Sequence, residues 1–294
     1  MKQKRIFIGL GVIVALLIFF FGILFFIGRY AGGKSSRLSF GDKIAIVEIK
    51  GVISQSSWII EELRQYLEDD GVKGIILRID SPGGGVGPAQ EIYREVMKIK
   101  LKKKVVTSMG SVAASGGYYV ACASDLIVAN PGTITGSIGV IMQFSNFEEL
   151  LKKIGIKGMV LKSGEHKDIG SPFREMTLEE KAIMQEVLDN VHQQFIQAVA
   201  DGRKLDRSKV VEVADGRILT GEQAKNLGLV DQMGNLQDTI DITAKMVGIV
   251  GKPNVLYPKK RLSIWELLMR DMASAIIDVL NEKGYELNIP FQIK

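Results

Sequence analysis

Two glycine-rich stretches carry the residues best suited to chemistry. They are Asp80-Ser81-Pro82-Gly83-Gly84-Gly85 and Gly110-Ser111-Val112-Ala113-Ala114-Ser115-Gly116-Gly117-Tyr118-Tyr119. Each follows an apolar run that reads as a strand. Glycines between a strand and a helix let backbone approach a ligand closely, with amides pointing outward. Such amides can hold a phosphate or an oxyanion. Neither stretch continues into Gly-Lys-Ser/Thr and neither fits GxGxxG, so the phosphate reading is weak. Ser115 stands apart from the other serines, between two alanines and two glycines at the start of an expected helix. Free helix N-terminal amides would favour negative charge developing there. An N-cap role explains the same position, and the local sequence alone leans that way.

A nucleophilic serine needs a base. The chain has two histidines, His166 and His192. His192, between Val191 and Gln193 on a long expected helix, reads as a surface or packing residue. The segment Ser163-Gly164-Glu165-His166-Lys167-Asp168 offers two bases side by side. Histidine already titrates near neutrality, which slightly favours His166. An ordinary lysine, with a pKa of about 10.4, is neutral in roughly one molecule in 2,500 at pH 7. Burial can lower that pKa by several units. The bland alternative for Lys167 is a solvated surface lysine paired with Asp168. Chemistry alone leaves both bases open. The single cysteine, Cys122, excludes an intrachain disulfide and sits in an apolar run, as a buried structural thiol would. No Cys/His cluster has metal-ligand spacing, so no metal is expected.

The elements that would position these residues alternate. Strands are expected at Lys43–Ile49, Gly74–Asp80, Lys104–Ser108, Asp125–Ala129 and Gly158–Lys162. Helices are expected at Trp58–Glu68, Gln90–Ile99 and Asn146–Ile154. Near-continuous apolar strands separated by helices predict an α/β fold with a parallel sheet. Thr177-Leu178-Glu179-Glu180 is a capping box opening a long helix, with Ile183, Val187, Val191, Phe195 and Val199 on one stripe. Turn-plus-helix units follow at Leu219–Val230 and Asn235–Val247.

Residues Ile6–Ile27 carry no charge. As a helix they would be about 33 Å long, enough to cross a bilayer core. A cleaved signal peptide normally has a shorter apolar region, so residues 1–30 read as an uncleaved anchor and 31–41 as a linker. The catalytic domain would be 42–257, and residues 258–294 a tail with an amphipathic stretch at Ile264–Leu280. Basic residues flank the span almost equally, so charge leaves its orientation open; a short N-terminus kept in the cytoplasm would place the domain outside, a placement that rests partly on the family resemblance of the soluble part. A net charge of +5 on 294 residues does not argue for nucleic acid.

The ordered set DSPGG, GSVAASGGYY, GSIGV and KSGEHKDIGSPFR resembles the signal peptide peptidase A family in its short form, over roughly residues 42–250. The resemblance implies a Clp protease/crotonase-like fold of repeated ββα units and a membrane serine endopeptidase with a Ser/Lys dyad. Matched by motif, Ser115 is the nucleophile and Lys167 the base, and His166 falls on a variable position. Ser137 would orient the lysine amine. Gly116 and the Ser-Pro-Gly-Gly turn, Gly83 before Gly84, would supply the oxyanion hole. The resemblance also implies remnant signal peptides as substrates, no cofactor, and a homo-oligomeric ring in which serine and lysine can come from adjacent subunits.

Overall fold

The computed structural model describes residues 41–258; the expected anchor, linker and tail helix lie outside them. Among the described residues no helix is long and apolar enough to cross a membrane. The strands are β1 (Lys43–Ile53), β2 (Val72–Gly84), β3 (Lys104–Ala114), β4 (Leu126–Ala129), β5 (Ile134–Gly136), β6 (Ile218–Thr220), β7 (Gln232–Met233) and β8 (Asn254–Leu256). The helices are α1 (Ser57–Glu68), α2 (Val86–Ile99), α3 (Gly116–Ala121), α4 (Glu148–Lys153), α5 (Leu178–Arg203), α6 (Arg207–Val213), α7 (Gly221–Asn226) and α8 (Leu236–Met246).

The sheet order is β6-β5-β3-β2-β1-β8, with β4 pairing β3 and β7. All pairings are parallel except β5 with β6. The apolar run of β1 has a simple cause. Ala45, Val47 and Ile49 pack with Ile59 and Leu63 of α1 and Ile92, Val96 and Ile99 of α2. The alternate residues Ile44 and Ile46 face Ile240 and Ala244 of α8. A stretch of strand covered on both faces favours apolar residues at successive positions.

β2 and β3 run further than their apolar cores suggest. β2 continues through Ser81-Pro82-Gly83-Gly84 beside β1, and after a one-residue register shift Val52 lies opposite Gly83 and Ile53 opposite Gly84. β3 continues to Ala114, where Val112, Ala113 and Ala114 pair with Ile134, Thr135 and Gly136. The two glycine-rich stretches are therefore neighbouring ends of one sheet.

Gly158–Lys162 is not a strand. Its apolar run imitates one, but a strand needs a partner for its backbone groups, and this segment has none among the described residues. Its side chains face outward: Met159 is 86% and Leu161 91% exposed.

Candidate active site

Ser115 sits between the end of β3 and the first turn of α3, at φ 51° and ψ −122°. Few non-glycine residues adopt positive φ, and holding one there costs on the order of 1–3 kcal/mol. Two hydrogen bonds pin it: its amide donates to the Gly136 carbonyl at 2.9 Å, and its carbonyl accepts from the Tyr119 amide at 2.9 Å. Its hydroxyl makes no capping bond to α3, so the residue occupies the N-cap position without doing that work. By contrast Thr177 caps α5 as expected, its Oγ1 accepting from the Glu180 amide at 3.1 Å.

Ser137, just past β5, is a second serine at φ 51°. Its amide donates to the Arg217 carbonyl at 2.8 Å. The Ser115–Gly136 bond ties the two strand ends together, and both serines line one cavity of about 580 Å³. Gly84, Gly116 and Tyr119 also line it, with Val86 and Ala89 of α2 and Leu188, Val191, His192 and Phe195 of α5. The cavity beside Ser115 thus has an apolar wall from α2 and α5 mixed with polar groups, among them Ser137, Gln185 and His192, and Asp189 and Asp215 are its acidic members. Arg217 forks onto Asp215 and holds its carboxyl down at about 2.

The two glycines of the Ser-Pro-Gly-Gly turn are placed differently. Gly83, taken from the sequence as the better oxyanion donor, gives its amide to Ser81 Oγ at 3.1 Å. Gly84 lines the cavity. Ile53, opposite Gly84, accepts from the Gly85 amide, so the Gly84 amide faces away from β1. It lies on the Gly116 side: a Cβ on Gly116 would come within 3.3 Å of Gly84 N. Gly83 instead permits close approach. A Cβ there would sit 2.7 Å from Gly116 N and 2.9 Å from Ser115 Cβ, and its φ is +104°. Gly83→Ala should therefore displace the Ser115–Gly116 peptide and lower kcat by about 10²-fold, the cost of a misplacement of about 1 Å. Steady-state kinetics with circular dichroism check this; full activity in a folded variant would refute it.

Lys167 does not line the cavity. It is exposed, in the turn at 164–170, where its amide donates to the Gly164 carbonyl at 3.2 Å. Its presumed partner Asp168 is engaged elsewhere, with Lys162 at 2.7 Å and Arg174 at 2.8 Å. His166 is half-buried, its Nε2 3.8 Å from Glu179. His192, read from the sequence as a packing or surface residue, lines the Ser115 cavity with an Nε2 that is buried and without a partner among the described residues. Only its place on the α5 stripe, three residues before Phe195, hinted at this. Cys122 is buried, its Sγ donating to the Tyr119 carbonyl at 3.1 Å; burial pushes the thiol up to about 12, which suits packing and not attack.

Residues 98–249 match Peptidase family S49, and residues 42–129 match the Clp protease family. A candidate protease of Methanocaldococcus jannaschii is 35% identical over 270 residues, covering 87% of each chain. A candidate signal peptide peptidase SppA of Enterococcus faecium is 36% identical over 268 residues, covering 86% of this chain and 78% of its own. The chain belongs to peptidase family S49. It is an S49 serine protease related to signal peptide peptidase SppA. Its fold is of the Clp protease/crotonase type. A serine-to-alanine mutant of the membrane-bound stomatin-specific protease 1510-N shares that fold, with a TM-score of 0.51 at 19% identity, over 74% of this chain and 98% of its own.

Proposed function

We propose that this S49 protease is a membrane-anchored endopeptidase that uses Ser115 and Lys167 to degrade remnant signal peptides and other apolar peptides at the membrane, on its extracytoplasmic side. The observation that carries the reading is the strained, uncapped Ser115 lining a cavity bordered by Gly84 and Gly116, one wall of which is apolar. Neutral Lys167 takes the Ser115 proton, and the oxygen attacks a peptide carbonyl. The amides of Gly116 and Gly84 hold the oxyanion, Gly83 keeping the two backbones in contact. Ser137, at the cavity wall, orients the lysine amine. The proton passes to the leaving amine, and water then releases the acyl group. The apolar cavity wall from α2 and α5 suits the side chains of a signal peptide.

Lys167 must reach Ser115 from outside the cavity. The segment that carries it exposes Ile141, Phe144, Leu150, Ile154, Met159 and Leu161. So much apolar surface on one segment suits a protein–protein contact. A neighbouring subunit in a ring would cover it and bring lysine and serine together.

The test is substrate trapping. Full-length Ser115→Ala protein, reconstituted with membranes holding signal-peptide remnants, should retain those peptides, and wild type should cleave them. A second reading, cleavage of one specific membrane protein, draws on the named specificity of the stomatin-specific relative in fold. Retention of a single membrane protein and no signal peptide would favour it.

A further inference from the structure

We propose that Arg174 is a positioning residue for Lys167: by occupying the Asp168 carboxylate it prevents that carboxylate from pairing with the adjacent lysine amine, and it fixes the turn that presents the amine. This rests on the Ser115–Lys167 reading above.

The geometry is a double fork. Arg174 Nε donates to Asp168 Oδ2 at 2.8 Å and Nη2 to Oδ1 at 2.8 Å. On its other side Nη1 donates to Glu180 Oε2 at 2.7 Å and Nη2 to Oε1 at 2.5 Å. Glu180 is itself fixed, because Oε2 accepts from the Thr177 amide at 3.0 Å in the capping box of α5. One planar guanidinium therefore bolts the Lys167 turn to the first turn of a 26-residue helix. A lysine could not replace it, having no planar fork to share between two carboxylates. Lys162 adds a third contact, its amine donating to Asp168 Oδ1 at 2.7 Å and to the Glu165 carbonyl at 2.6 Å.

The consequence is chemical. A lysine acting as base must be neutral, and a free carboxylate on the next residue would favour the ammonium. Here both Asp168 oxygens are taken by cations, and Lys167 makes no ion pair among the described residues. Arg174 first, then Lys162, hold the Asp168 carboxyl well below the usual carboxylate range, and Arg174 holds Glu180 at about 2. Asp168 thus stays charged, and occupied, at any working pH. The other titratable groups around the turn are Glu165 and His166 within it, Glu179 of α5 beside His166 Nε2, Glu175, whose carbonyl accepts from Arg174, and Glu148 of α4, which accepts from the Glu175 amide.

The experiment is the pH dependence of kcat/KM for the full-length enzyme in detergent, on an unstructured apolar polypeptide. Arg174→Gln frees Asp168 Oδ2 for Lys167 and leaves Lys162 alone on Oδ1, so the acid limb should move up by about one unit or more, a loss of about tenfold or more at pH values below it. Asp168→Asn in the Arg174→Gln background removes the competing carboxylate and should return the limb to its wild-type position. A merely structural arginine would lower activity at every pH and leave the limb in place. An unmoved limb in Arg174→Gln, or a limb still displaced in the double variant, overturns the proposal. Should Arg174→Gln not fold, Lys162→Gln removes one of the cations on Asp168 from a solvent-facing position; it should move the limb in the same direction by less, and no movement overturns the proposal. Lys167→Ala separates the two readings: if it stays active, the dyad falls and this inference with it. If it is inactive while the limb is unmoved, this inference alone falls.

Discussion

Replacing Ser115 by alanine should reduce kcat on the order of 10⁴- to 10⁶-fold, the range found when a hydrolase loses its nucleophile. Stability should barely change. An N-cap serine contributes about 0.5–2 kcal/mol through its bond to a helix amide, and its loss would appear as a lower Tm. Ser115 makes no such bond, so Ser115→Ala removes chemistry and leaves packing intact. The positive φ remains in the alanine variant, so the backbone strain remains as well. Peptide hydrolysis and thermal denaturation measured on one preparation decide between the two roles. A variant that stays active, or one that loses its activity by unfolding, would defeat the nucleophile assignment.

Lys167→Ala should lose activity to a similar degree, again without loss of stability. Exposed substitutions away from special contacts usually stay within about 0.5 kcal/mol. The informative step is mixing. Lys167 lies outside the cavity that holds Ser115. If the pair forms between subunits, co-assembled Ser115→Ala and Lys167→Ala chains regenerate intact sites, roughly one in four by random pairing in a cyclic assembly. Neither variant is active alone. Activity recovered on mixing is the expected result. Absence of recovery in a verified mixed oligomer, or full activity in a strict monomer, would defeat the shared site. Normal proteolysis by Lys167→Ala together with loss in His166→Ala would return the histidine as base.

Much of the scaffold was legible because it follows local rules. β1, β2 and β3 announce themselves as near-continuous apolar runs, since helices cover both sheet faces. The capping box at Thr177 and the helix it opens depend on residues three positions apart. Gly158–Lys162 misled for the same reason. Apolar content marks a segment that leaves water, and it does not say whether a strand or another molecule will cover it.

The chemistry was less legible. Ser115 as a string of neighbours is an ordinary helix cap. Only the hydrogen bonds to Gly136 and Tyr119 show a serine held at positive φ with its hydroxyl unused by the helix. Gly83 and Gly84 look alike in sequence, and the register against Ile53 is what separates a glycine in close contact with Ser115 and Gly116 from one that borders the cavity with its amide turned away from β1. His192 joined the cavity because α5 lies across it, 77 residues along the chain from Ser115.

The sequence by itself determined the α/β alternation, the two glycine-rich strand ends, and a set of ordered motifs that specifies the family, because each depends on residues close together in the chain. Tertiary structure alone decided three things: that those two ends lie side by side, that Ser115 is strained and not capping, and that Asp168 belongs to Arg174 and Lys162 instead of Lys167. The first two depend on strand ends that meet only once the sheet has formed; the third depends on how the loop around Asp168 folds, with Arg174 also fixed by Glu180 of α5.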